Sequence, residues 1–228
     1  MKHEGSELVS RFVPELGKNR TKLMIKKIYL TRHGQTDFNK QGIVQGRGVD
    51  SDLNEMGRAQ AQAFHEAYKH IPFDKLYISS LKRTAQSMEN FIQQGLPYEA
   101  LPELDEISWG IHEGAEVNEQ QHAYYFEMIN SWQRGETHKS IEGGESPEGL
   151  AKRLRAGLSY IMAKENENNV LICMHGRAMR LMLATIFNYP ISGMDYFLHN
   201  NLGLYEITYT GKTFVLDRYN EISHLRHL

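Results

Sequence analysis

The sequence has a single cysteine, no excess of charge of either sign and no long apolar run. Cys173 is alone among 228 residues, so an internal disulfide is impossible and a thiolate metal site has no second ligand. That usage points to a reducing, cytoplasmic setting. Lys plus Arg number 26 against 28 Asp plus Glu, and a net charge of −2 offers no electrostatic case for binding nucleic acid or an anionic membrane. Apolar stretches are short and broken by charges, so none is long enough to span a bilayer. The first 24 residues carry Lys2, Glu4, Glu7, Arg11, Glu15, Lys18, Arg20 and Lys22 around no apolar centre, which excludes a secretory signal. Hydrophobic residues at 40% and charged residues at 24% are globular proportions. A chain of this length buries roughly 70% of its unfolded surface and needs neither disulfides nor a structural metal to fold.

What is present is alternation. Residues 1–24 are polar and aperiodic and read as a flexible extension, with a short helix over 7–16 as the alternative. Residues 28–31 read as a strand, followed by a polar, glycine-bearing loop from Arg32 to about Asp52. Asn54 caps a helix whose apolar face is Met56, Ala59, Ala63, Phe64 and Ala67. Residues 73–78 form a second strand, and Ser79 or Ser80 caps a helix running to about Gln94. Residues 98–101 give a third, short strand. The segment 103–147 is irregular, with one helix marked by Tyr124, Tyr125, Met128, Ile129 and Trp132. A helix over 148–165, a buried strand over 169–174, a helix over 177–187 and a closing strand pair around Gly211-Lys212 complete the chain. Strands alternating with helices predict an α/β fold, three layers α/β/α around a mainly parallel sheet. The simplest division is one domain over 25–228 with a helical insertion at about 103–147, without internal repeats.

Sites in open α/β sheets form beyond the carboxyl ends of the strands. The first strand runs out into Arg32-His33-Gly34, the strand at 169–174 into His175-Gly176, and the strand at 73–78 into Ser79-Ser80-Leu81-Lys82-Arg83. Two histidines and two arginines therefore fall at one sheet edge, a cationic pocket in a chain of near-neutral charge. Arginines hold a phosphoryl group bidentately, helix N-termini add N–H donors, and Gly34 and Gly176 let the backbone approach closely. A neutral imidazole nitrogen can attack phosphorus and form a phospho-histidine.

The run Leu30-Thr31-Arg32-His33-Gly34-Gln35-Thr36-Asp37-Phe38-Asn39 resembles the Arg-His-Gly-x-Thr-x-x-Asn signature of the histidine phosphatase superfamily, the phosphoglycerate mutase-like family. Further segments match in the same order: Gly42 to Gly46; Leu53-Asn54 with Gly57 and Gln60-Ala61; Ser79 to Ser87 around Arg83; Leu104-Asp105-Glu106-Ile107 with Gly110 and Glu113-Gly114; Gly144-Glu145-Ser146; and Met174-His175-Gly176. One departure is Asp52, where the family usually has proline. The resemblance runs from about Ile25 to the C-terminus and implies a phosphoglycerate mutase-like fold. It implies that His33 is the nucleophile and that Arg32, Arg83 and His175 bind the phosphoryl oxygens, with Asn39 assisting and the Gly176 backbone close by. It further implies that Gln45 and Gly46 touch the substrate and that Glu106 protonates the leaving oxygen and then activates water. The resemblance selects Glu106 over neighbouring Glu103, Glu113 and Glu116. His33 must start neutral and Glu106 protonated, which predicts a bell-shaped pH profile.

The segment Trp109-Gly110-Ile111-His112-Glu113-Gly114 resembles the phosphatase branch, and the Asn-Lys-rich insertion of the mutases is absent. The expected activity is hydrolysis of a small phosphorylated metabolite through a phospho-histidine, with no metal and no cofactor, because arginines carry the charge. The alternatives are a cofactor-dependent phosphoglycerate mutase, a non-catalytic phospho-ligand binder on the same fold, and a phospho-histidine protein phosphatase. Spacing gives no metal motif to His65, His70 and His112, which read as surface histidines, and Cys173 reads as a buried hydrophobe. The sequence assigns no oligomeric state.

Overall fold

The computed structural model describes residues 25–115 and 118–228, so the predicted extension over 1–24 lies outside the described residues. Strands β1 (Lys26–Arg32), β2 (Lys75–Ile78), β3 (Tyr98–Ala100), β4 (Asn169–Met174), β5 (Leu204–Tyr209) and β6 (Phe214–Glu221) form one sheet in the order β3-β2-β4-β1-β5-β6. The pairs β3·β2, β2·β4 and β4·β1 are parallel, while β5 and β6 close the sheet antiparallel. The mainly parallel sheet is as expected, and the antiparallel edge is the strand pair expected around Gly211.

Period-two side-chain alternation sorts the strands between two cores. Ile28, Leu30, Val170, Ile172 and Met174 pack on one face, with α6 (Pro147–Met162) and α7 (Gly176–Ile186). Tyr29, Leu171, Cys173, Leu76 and Ile78 pack on the other, beneath α2 (Glu55–Tyr68) and α4 (Glu89–Gln93). Helices on both faces make the three layers. Asn54 caps α2 by accepting from the Gly57 N–H, and Ser146 caps α6 by accepting from that of Gly149, with Pro147 in the first turn. The Lys26 ammonium is buried and donates to the carbonyls of Ile161 (2.7 Å) and Lys164 (2.9 Å) at the end of α6.

Three sequence expectations change. The loop after β1 contains a short helix, α1 (Asp37–Gln41), closed by a reciprocal capping box between Thr36 and Asn39. The single helix expected to 94 is two, α3 (Lys82–Ser87) and α4, hinged at Met88. Neither Ser79 nor Ser80 occupies the N-cap position of α3, which is Leu81 without a side-chain cap. Tertiary partners take both hydroxyls: Ser79 Oγ meets His175, and Ser80 Oγ donates to Asp105. Residues between β3 and α6 form two 3-10 turns (Pro102–Leu104 and Gly110–His112) and α5 (Glu119–Gln133). Among the described residues no helix is long and apolar enough to cross a membrane.

Candidate active site

Arg32 lies beside Met174 in the β1·β4 register, so the residues following these two strands emerge together. The His33 N–H donates to the Met174 carbonyl (3.0 Å), and the rings of His33 and His175 stand 5.2 Å apart. His33 is only 3% exposed. Its Nδ1 meets the carbonyl oxygen of Gly34 at 2.7 Å. A carbonyl only accepts, so in the neutral ring Nδ1 carries the proton and Nε2 keeps its lone pair. Burial, and after it the charges of Arg32 and Arg83, pushes the imidazole pKa well below its ordinary 6.5. The buried ring is held neutral, with the lone pair of Nε2 uncommitted.

Arg83, His175 and Ser79 form a layer behind His33. Arg83 Nε donates to His175 Nδ1 (3.2 Å), which leaves the His175 proton on Nε2 for Ser79 Oγ (2.7 Å). Arg83 Nη1 donates to the Val49 carbonyl (2.7 Å) and Nη2 to the Gly46 carbonyl (3.2 Å). Gly46 fits only as glycine, since a Cβ there would stand 2.6 Å from the Ile107 carbonyl. Arg83, His175 and Gly46 are buried and do not line the cavity that opens in front of His33.

That cavity has a volume of about 580 Å³, and of the expected site residues Arg32, His33, Asn39, Gln45, Glu106 and Gly176 line it. Glu106, in the segment between the two 3-10 turns, reaches the start of α7 with its carboxylate. Its Oε1 accepts from the N–H groups of Ile107 and Ala178 (both 2.9 Å) and its Oε2 from that of Arg177 (3.0 Å). Oε2 keeps an open lone pair beside the cavity. Arg153 of α6 fixes the strip that carries Glu106, donating to the carbonyls of Pro102, Glu103, Asp105 and Glu106 while paired to Glu145. Glu113 takes another part: its carboxylate accepts the Trp109 N–H (2.8 Å) and does not reach the cavity. Asn39 Oδ1 accepts from the Thr36 N–H (3.2 Å) and from Asn201 Nδ2 (3.2 Å), and Gln45 Nε2 donates to Thr36 Oγ1 (2.6 Å). These two side chains brace the α1 loop and also face the cavity.

Several cavity residues have no counterpart in the sequence reading: Arg177 and Arg180 on α7, Asp195, His199, and Gln133 on α5. His199 Nδ1 accepts from Arg32 Nη1 (3.4 Å), which fixes the guanidinium from behind, while Arg32 Nε is buried with no partner among the described residues. Burial, then the Arg32 and Arg180 charges, lowers the His199 pKa to about 2. Gly176 lies under this pair, and a Cβ there would come within 2.9 Å of His199 Nε2. The only advance signal was the spacing of Arg177 and Arg180, one turn apart at the head of a predicted helix. Two expectations are corrected. His65 and His112 are not surface residues, being 5% and 6% exposed. His65 packs edge-on against Phe91 and His112 stacks on Tyr124, contacts between segments distant in sequence.

The sheet is that of an α/β protein that brings a buried neutral histidine and arginines together at its carboxyl edge. The family model of the histidine phosphatase superfamily (branch 1) matches residues 28–222, and the chain belongs to that family. Among its relatives is a Proteus mirabilis protein named "Probable phosphoglycerate mutase GpmB", 29% identical over 87% of this chain and 94% of its own length. The adenosylcobalamin/alpha-ribazole phosphatase of Salmonella typhimurium is 25% identical over 75% of this chain and 84% of its own. The solved structure of a mycobacterial glucosyl-3-phosphoglycerate phosphatase superposes with a TM-score of 0.75 at 22% identity, over 87% of this chain and all of that one (100%), and so shares the fold.

Proposed function

We propose that the protein is a phosphomonoester hydrolase that works through a phospho-histidine on His33, without a metal, on a small phosphorylated metabolite. Residues 25–228 act as one catalytic domain, and the insertion at 103–147 roofs the cavity. The observation that carries this reading is the His33 ring: buried, neutral, its Nδ1 proton held by Gly34, its Nε2 free beside Arg32 and Glu106. In the first step Nε2 attacks phosphorus in line. The Nε2–P bond forms as the ester P–O bond breaks, and the Glu106 carboxyl delivers its proton to the leaving oxygen. In the second step a water attacks the phospho-histidine, Glu106 takes its proton, inorganic phosphate departs and His33 is restored. Charge spread over the equatorial oxygens is met by Arg32 at the cavity wall and by the field of Arg83 behind it. The Arg83–His175–Ser79 chain holds that layer in place.

Hydrolysis of an aryl phosphate in excess chelator tests this, with His33→Ala beside the wild type. The expected result is chelator-resistant turnover that falls roughly 10³-fold or more in the variant, with an acid-labile, alkali-stable phosphoenzyme in the wild type alone. Absence of turnover overturns it. The relative named as a phosphoglycerate mutase supports a second reading, transfer between positions of a phosphoglycerate. Interconversion of phosphoglycerates that depends on added bisphosphoglycerate and outpaces phosphate release would establish that reading instead.

A further inference from the structure

A turn outside the cavity reaches the backbone of His33 from late in the chain. Residues 200–203 lead into β5 and lie against the end of β1. The Leu202 N–H donates to the Arg32 carbonyl (2.9 Å), and Thr31 Oγ1 donates to that of Gly203 (3.0 Å). Asn201 Nδ2 donates both to the His33 carbonyl (2.8 Å) and to Asn39 Oδ1 (3.2 Å), residues 168 and 162 positions away. Asn201 itself does not line the cavity. The turn is also held from behind. Asn220, near the end of β6, accepts the Asn200 N–H on its Oδ1 (3.0 Å) and donates from its Nδ2 to Asn200 Oδ1 (2.8 Å). His224 Nε2 donates to the Leu202 carbonyl (3.0 Å). Leu202 takes a left-handed backbone, with φ at 53°. A bulky residue keeps that conformation only where its surroundings fix it, and such strain gathers near functional sites.

What this turn controls is the direction of one amide. A side-chain amide has an accepting end and a donating end, and the end that meets a ligand depends on what the other end already meets. Asn39 Oδ1 is taken by two donors, the Thr36 N–H (3.2 Å) and Asn201 Nδ2 (3.2 Å). Asn39 Nδ2 donates to no group among the described residues, and it is the end left to the cavity that Asn39 lines with Arg32 and His33. A phosphoryl oxygen is bound by a donor and repelled by a carbonyl oxygen, so the reverse orientation would oppose the substrate. The Thr36 contact is local to α1, a helix of five residues that buries none of them and has little stability of its own. Asn201 supplies the second donor from a segment rooted in the sheet. Building on the phosphatase reading, we propose that Asn201 is a positioning residue. Tied to the His33 carbonyl, it occupies Asn39 Oδ1 and so presents the Asn39 Nδ2–H donor to the phosphoryl group that passes to His33.

A double-mutant cycle on an aryl phosphate tests this. Asn201→Ala should lower kcat/KM roughly 10-fold in the otherwise wild-type enzyme, the range of a lost hydrogen bond to a charged group. In an Asn39→Ala background no amide remains to be oriented, so the same change should cost much less. The ratio of the two losses measures the coupling, and a ratio of about threefold or more is expected. A residue that only props the turn would cost the same factor in both backgrounds. If Asn201→Ala does not fold, Asn201→Leu, which keeps the volume and loses the donors, takes its place in the cycle with the same expected ratio. A smaller ratio, whether because the first loss is slight or because both losses are equal, overturns the inference. Wild-type turnover without that coupling defeats this inference and leaves the phosphatase reading standing; no turnover by the wild type defeats both.

Discussion

Single residues set the proton positions on which the chemistry depends. In the proposed mechanism His33 attacks only when neutral, and its surroundings hold its pKa well below 6.5. Activity in the free enzyme therefore rises with pH along a limb that lies well below 6.5. Burial is the largest cause and the Arg32 and Arg83 charges add to it, so Arg32→Met raises the His33 pKa and shifts the acid limb of kcat/KM toward neutral pH. A loss of roughly 10²- to 10³-fold accompanies it, as for a lost transition-state donor. Profiles of wild type and Arg32→Met on one aryl phosphate read both effects, and an unmoved limb assigns it to another group. His33 and His175 were legible because each follows a strand and precedes a glycine, a placement that chain order alone reveals. Glu106 was not: several glutamates crowd 103–116, and only resemblance singled it out. The structure separates them physically, turning the Glu106 carboxylate to the cavity and the Glu113 carboxylate to the Trp109 N–H.

Among the secondary-structure elements, α7 ties stability to the proposed catalysis. Its N-cap, His175, makes no side-chain cap, and the helix start is satisfied by the Glu106 carboxylate from another segment. The expected general acid is thus also a helix cap. Glu106→Ala should lose activity and about 1–2 kcal/mol of stability, the range of a lost cap. Glu106→Gln keeps an acceptor oxygen and should lose activity with a smaller change in stability. Thermal unfolding run beside kcat for both variants checks this, and equal stability losses would show that the capping oxygen is not what matters. The helix after β4 was legible from its apolar face and the glycine at its head. Its cap was not, because the capping group stands 71 residues away in sequence.

Over the whole molecule, burial of neutral histidines makes folding sensitive to acid. His33, His175 and His199 all have pKa values lowered by burial, His199 to about 2. In the unfolded chain each returns to about 6.5. Below that pH the unfolded state binds protons that the folded state refuses, so stability is full above about 6.5 and is lost as pH falls toward the folded values. Each such histidine contributes up to about 1.4 kcal/mol per pH unit in that window. Urea midpoints between pH 8 and pH 5 should fall steeply below 6.5, and His199→Gln should flatten the slope by up to one proton. A midpoint that does not move over this range refutes the account.

The amino-acid sequence by itself determined the alternation of elements, the sheet they make and the edge at which Arg32, His33 and His175 gather. These follow from periodicity and from where each apolar run stops, properties carried by neighbouring residues. Tertiary structure alone decided which side chains face the cavity. It set Arg83 and His175 behind His33, buried His65 and His112, and brought Gln133, Arg177, Arg180, Asp195 and His199 to one cavity from α5, α7 and the turns that follow α7. Those contacts depend on how separate segments pack, and burial and charge acquire their effects on a proton or an anion only once the packing exists.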